Sequence, residues 1–174
     1  HEAIFTMRNV DDTDHIKSYI DTHPVKKAVI IGAGFIGLEM AENLHQLGIH
    51  VSIVEMIDQV MAPIDFSMAS LVHQELTMKG VDLYLGKGVE GFEENSHQLQ
   101  VCVKGGEKID ADLVILSIGV RAQTKLAQEA GLTIGEMQGI YVNDYLQTSD
   151  KDIYAVGDAI EFKHPITGKP WLNY

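Results

Sequence analysis

Apolar positions change rhythm along this chain, and each rhythm predicts an element. Ala28-Val29-Ile30-Ile31 is an unbroken apolar run, and Val51-Ser52-Ile53-Val54 is nearly one. Such runs fit strands of a parallel sheet buried on both faces. Between them, Leu38, Ala41, Leu44 and Leu47 share the inner face of a helix over residues 38–47, and Gly48 follows as a C-terminal cap. Upstream, the first ten residues are irregular, with Phe5 and Met7 as packing anchors. Residues 11–22 form a short helix, with acids at its start and Ile16, Tyr19 and Ile20 on one stripe.

Downstream, residues 56–63 are a loop. A helix capped by Asp65 or Ser67 then runs to Lys79, patterned by Met68, Leu71, Val72 and Leu76, and Gly80 stops it. Residues 81–85 alternate as a third strand. Residues 89–92, 99–103 and 107–109 read as a small antiparallel meander, with turns at Glu94-Asn95-Ser96 and Gly105-Gly106. Leu113-Val114-Ile115-Leu116-Ser117-Ile118 is the run expected of a central parallel strand, and Gly119 ends it. A short helix over 124–130, closed by Gly131, and strands at 140–142 and 153–156 follow. The tail, 161–174, is without pattern. The fold class expected is α/β: a Rossmann-like, three-layer domain with a parallel sheet and a small antiparallel three-stranded meander.

The candidate chemistry sits where the first strand meets its helix. Gly32-Ala33-Gly34-Phe35-Ile36-Gly37 lies between them, and Glu55 closes the next strand 18 residues past the last glycine. In this layout Gly32 makes the sharp turn, Gly34 lets a pyrophosphate approach the backbone, and Gly37 permits close helix packing. The free amides and dipole at the helix start favour phosphate. Glu55 would accept from the adenosine ribose hydroxyls and repel a 2′-phosphate. No Lys or Arg occurs between Glu55 and Lys79, so NAD is favoured over NADP.

Bulk properties narrow the classes. The formal charge of −12 argues against nucleic acid or an anionic membrane surface as partner. No apolar run reaches membrane-spanning length. One cysteine excludes an internal disulfide framework and suits a cytoplasmic protein. The eight histidines show no metal-ligand spacing, and no serine sits in a nucleophile elbow. Cys102 alternates with Val101 and Val103 in a short strand and reads as structural.

Further motifs carry a resemblance. The glycine turn extends as Val29-Ile30-Ile31-Gly32-Ala33-Gly34-Phe35-Ile36-Gly37-Leu38-Glu39. Ala111-Asp112-Leu113 through Ile118-Gly119-Val120-Arg121 is a second motif. Leu146-Gln147-Thr148-Ser149-Asp150, running into Ile153-Tyr154-Ala155-Val156-Gly157-Asp158-Ala159, is a third. In this order the chain resembles the flavin-dependent pyridine nucleotide–disulfide oxidoreductases. It is most similar to the branch of coenzyme A disulfide reductases, NADH oxidases, NADH peroxidases and polysulfide reductases.

The resemblance implies NAD(H) and FAD as cofactors and a small-molecule electron acceptor: disulfide, persulfide, peroxide or oxygen. It implies that Phe35 is a lid near flavin and nicotinamide, the alternative being a core aromatic. Glu39 would reach the flavin–nicotinamide edge, the alternative being a solvated helix residue. Ile118 and Gly119 would offer backbone contacts to NAD. Gly157 and Asp158 would meet the FAD ribityl chain. Ala122 and Gln123 stand where the family shows proline and often asparagine, which changes the stiffness of that turn.

The family's FAD-binding glycine turn, redox cysteine and dimerisation domain have no counterpart here. The chain therefore reads as a piece of a homodimeric parent. Residues 1–24 would be a linker and helix, 25–120 the NAD(H)-binding core, and 121–174 the end of that domain with a returning segment of a truncated FAD domain. By itself the piece is expected to be inactive. The alternatives are a non-catalytic nucleotide-binding module and a flavin-free NAD-dependent dehydrogenase.

Overall fold

A computed structural model describes residues 1–95 and 98–172. The chain divides into two units, His1–Gly119 and Val120–Tyr174.

The first unit is built on a five-stranded parallel sheet in the order β1-β8-β2-β3-β4. Its strands are β1 (Ile4–Thr6), β2 (Lys27–Ile31), β3 (His50–Val54), β4 (Asp82–Tyr84) and β8 (Leu113–Leu116). Helices α1 (Val10–Thr22), α2 (Phe35–Gln46) and α3 (Phe66–Met78) connect the strands. A separate antiparallel sheet holds β5 (Val89–Asn95), β6 (Gln98–Val103) and β7 (Glu107–Ala111).

The unbroken apolar runs find their reason in the layering. Ala28 and Ile30 of β2 pack with Ile16, Ala41 and Leu44 of the helices. Val29 and Ile31 pack with Leu99, Val101 and Val103 of the meander. β8 divides in the same way, Leu113 and Ile115 toward the helices and Val114 toward the meander. Every covered position of these strands, Ala28–Ile31 in β2 and Leu113–Leu116 in β8, is therefore apolar, since one face is covered by helices and the other by the small sheet. Leu113, Val114 and Ile115 are fully buried, each side chain contributing about 1.5–3 kcal/mol relative to exposure.

Several expectations need correction. The first ten residues are not all irregular, because Ile4–Thr6 pairs in parallel with Val114–Leu116 as an edge strand. Three residues carry too short a pattern to be read locally, and their order comes from a partner far along the chain. Ile4–Thr6 accordingly belongs to the same sheet as β2, β3 and β8. α1 opens with a capping box, Asn9 accepting from the Asp12 amide and Asp12 from the Asn9 amide. α2 begins at Phe35 rather than Leu38, so the last glycines lie at and inside its first turn. Leu47 is exposed, as are Met68 and Leu71 of α3; Ala69, Val72 and Leu76 face the core instead. Asp65 occupies the N-cap of α3 but makes no side-chain capping bond. β8 stops at Leu116, leaving Ser117 and Ile118 beyond the strand. Ser96, expected in the meander's first turn, lies outside the described residues.

The second unit contains α4 (Lys125–Glu129), β9 (Ile140–Tyr141), β10 (Ile160–Lys163) and β11 (Pro170–Leu172). Its sheet runs β11-β10-β9, with β10 antiparallel to β11 and parallel to β9. The tail is therefore a hairpin, which His164 and Trp171 close by edge-to-face contact at 5.2 Å. The end of the tail, Asn173 and Tyr174, lies outside the described residues. The strand expected at 153–156 is absent: only Tyr154 forms a bridge, to Gln147. Glu161 is buried at 2% exposure. Its carboxylate accepts from the Met137 amide at 2.7 Å and the Gly139 amide at 3.4 Å, the satisfaction a buried charge requires.

One pH effect arises in the meander. Hydrogen bonds from Gln100 first, then Lys27, hold the Asp110 carboxyl below its ordinary value of 3.8. A carboxylate depressed in the folded state adds stability above its unfolded value, and that stability is lost as pH falls through the folded one. Asp110→Asn is expected to flatten the acid limb of the stability curve below about pH 4. Urea midpoints across that limb check it, and parallel curves for the two proteins would refute it. The effect is small because the Asp110 side chain is 39% exposed.

Candidate functional site

The strands β2, β3 and β8 end together at one edge of the sheet, and the glycine turn lies there. Gly32 takes φ +102° and donates its amide to the Val54 carbonyl at 2.9 Å, a conformation that side chains disfavour. A Cβ on Gly32 would lie 2.4 Å from the Ser117 carbonyl oxygen, and one on Gly37 would lie 2.0 Å from the Gly32 carbonyl oxygen. A Cβ on Gly34 would meet nothing within 4 Å. The three glycines thus do different work. Gly32 turns the chain, Gly37 seats the helix on the turn, and Gly34 leaves the corner bare. Gly34 is also the N-cap of α2 and offers no side-chain bond to its first turn. The amides there face outward with the positive end of the helix dipole.

Ser117, absent from the sequence-based candidates, fastens this corner. Its hydroxyl donates toward the carbonyls of Ile31 and Gly32 at 3.0 and 2.9 Å, and its amide donates to Ile31 at 2.8 Å. Serine at a strand end gives no local signal; only the pairing of β8 with β2 brings it to the turn.

Glu55 takes a second task besides the one expected of it. Its carboxylate accepts from the Ala33 amide at 2.8 Å and the Ile57 amide at 3.1 Å. These bonds fix its position and leave lone pairs free, since an ionised carboxylate accepts about four bonds. A cavity of about 630 Å³ opens over this corner, walled by Gly32, Gly34, Glu55, Ser117, Ile118 and Gly119. Its outer wall adds Met56, Lys87, Val89 and Phe92. The volume and the open edge above the strand ends suit a dinucleotide half.

The structure does not gather every sequence candidate at this cavity. Ile36 and Glu39 line a different cavity, of about 390 Å³, together with Ile16, Met40 and other residues of α1 and α2. Phe35 is 63% exposed at the helix start, which overturns its alternative placement as a core aromatic. Glu39 is solvent-exposed. Gly157 (φ +85°) and Asp158 lie in the second unit, on the turn before β10. The Asp158 carboxylate is exposed and has no hydrogen-bond partner among the described residues.

Cys102 faces away from the buried Val101 and Val103 and lies 3.5 Å from a Glu93 carboxylate oxygen. Desolvation first, and then that carboxylate, push its thiol up. Such a thiol is the opposite of a reactive thiolate. Among the described residues, no group of three His, Cys, Asp or Glu is placed to hold a metal ion. No helix of the described residues is long and apolar enough to cross a membrane.

Fold and site together define a Rossmann-class domain, with its glycine turn at the carboxyl edge of a parallel sheet. The chain belongs to the pyridine nucleotide-disulphide oxidoreductase family, whose description matches residues 1–170. It is 38% identical over 173 residues to a protein of Methanocaldococcus jannaschii named NADH oxidase, covering 99% of this chain and 38% of that one. Reduced Bacillus anthracis CoADR-RHD superposes with a TM-score of 0.88 at 48% identity, over 98% of this chain and 30% of that one. An NAD-dependent persulfide reductase from A. fulgidus gives 0.88 at 37% identity, over 98% of this chain and 32% of that one. The chain thus spans 30–38% of the length of these relatives. They fall in the branch to which the sequence motifs pointed.

Proposed function

We propose that this chain is the NADH-binding part of an FAD-dependent oxidoreductase that passes hydride from NADH to FAD and on to a disulfide, persulfide, peroxide or oxygen. The observation that carries this reading is the bare corner at Gly34 beneath the 630 Å³ cavity, with Glu55 fixed at its side. The amides of α2 hold the diphosphate, and Glu55 accepts from the ribose hydroxyls. Ile118 and Gly119 border the nicotinamide half with their backbone. Asp158, exposed after Gly157, receives the ribityl hydroxyls of FAD. The cofactors supply the redox chemistry when bound; the residues here bind and orient them. Family membership and the names of the relatives support this assignment. The low charge complementarity to polyanions and the single cysteine support a cytoplasmic parent acting on a small molecule. The parent would be a homodimer through a domain outside this chain.

Titration of the purified protein with NADH, followed by calorimetry, tests the site. One saturable site is expected; no detectable binding overturns the assignment. Glu55→Arg is expected to weaken NADH by about 30-fold, roughly 2 kcal/mol, since it removes charge-assisted acceptors. The same variant should raise NADPH relative to NADH by placing a cation where a 2′-phosphate would lie. Unchanged relative affinities would remove Glu55 from the ribose site.

A further inference from the structure

Sequence proximity placed no cation near Glu55, but the fold does. Lys87 follows β4, donates its amide to the Glu55 carbonyl at 2.9 Å and lines the same cavity. Among the described residues lining that cavity, it is the only Lys or Arg. Its ammonium is engaged by other groups. It forms an ion pair with Glu107 at the start of β7 and lies 5.7 Å from the centre of the Tyr84 ring. Glu107 itself is not part of the cavity wall.

We infer that the Lys87–Glu107 ion pair sets the choice between the two nicotinamide nucleotides, by occupying the one cation that could meet a 2′-phosphate. The inference rests on the dinucleotide reading of the cavity. With Glu107 in place, a 2′-phosphate entering beside Glu55 faces a carboxylate and an ammonium whose charge is already matched. Without Glu107, the flexible ammonium is free to turn to the phosphate as a point charge. Both partners are partly exposed, 35% and 44% at the side chain, so the pair is cheap to break. A specificity device of this kind works by withholding an attraction from the wrong ligand.

The test measures dissociation constants of NADH and NADPH for the purified protein and three variants. Glu107→Gln is expected to raise the NADPH-to-NADH affinity ratio about tenfold, the size of one ammonium–phosphate bond. Glu93→Gln is the control. It removes one negative charge from the same sheet, where Glu93 pairs with Lys108, but frees no cation at the cavity. It should leave the ratio where it was. Adding Lys87→Gln to Glu107→Gln should return the ratio to the starting value. Equal gains from Glu107→Gln and Glu93→Gln would reduce the effect to overall charge and overturn the inference. So would an unchanged ratio in Glu107→Gln, or a gain that survives loss of Lys87. Failure of the starting protein to bind either nucleotide would instead overturn the dinucleotide site, and the inference with it. Circular dichroism of each variant confirms that the ratios refer to folded protein.

Discussion

Gly37→Ala is expected to destabilise the protein by about 3 kcal/mol and to abolish NADH binding. The added Cβ would stand 2.0 Å from the Gly32 carbonyl oxygen and 2.7 Å from the Ser117 hydroxyl. The nearer atom is backbone, held by a turn that Ser117 and Glu55 both brace, so it cannot swing aside as a side-chain tip would. Relief requires α2 to lift from the turn, which separates the amides that would hold the diphosphate. Alanine is the better helix former by about 1 kcal/mol, and the contact must exceed that gain for the prediction to hold. Urea unfolding reads the change directly. For a chain of this size the midpoint of thermal unfolding should fall by roughly 6–12 °C. An alanine variant as stable as the starting protein would show that the turn relaxes and that close packing at Gly37 is not required.

Gly34→Val should behave in the opposite way. A Cβ there meets nothing within 4 Å, and Gly34 holds φ −79°, which any residue adopts. Stability should change by no more than about 1 kcal/mol, the cost of a poorer N-cap. NADH affinity should fall at least 100-fold, about 2.7 kcal/mol, because two methyl groups would stand where the diphosphate approaches the backbone. Calorimetric titration beside a urea curve separates the two quantities. A valine variant that binds NADH normally would show that the diphosphate does not lie on this corner. The two substitutions, three positions apart in one motif, thus distinguish a glycine needed for packing from one needed for approach.

Much of the fold was legible because its signals are local. A strand covered on both faces must be apolar at every covered position, and β2 from Ala28 onward and β8 announce themselves in that way. The meander showed through its alternation and its Gly105-Gly106 turn. What failed did so where order is borrowed. β1 and the β10–β11 hairpin are three or four residues long and gain their hydrogen bonds from neighbours. Leu47, Met68 and Leu71 fit a helical stripe by spacing, but a stripe tells only which side is apolar, and the helices turn those residues outward. At the site, the glycines and Glu55 were readable because their spacing carries the chemistry. Ser117 and Lys87 were not, since each reaches the corner only when β8 and β4 take their places in the sheet.

The sequence by itself determined a glycine-cornered α/β unit with an acid at the end of its second long strand, because backbone conformation and burial act on neighbouring residues. The tertiary structure alone decided which serine clamps that corner, which lysine stands beside that acid, and which carboxylate holds the lysine in place. These are contacts between residues 20 to 86 positions apart. No local preference encodes such a distance; the packing of the strands does.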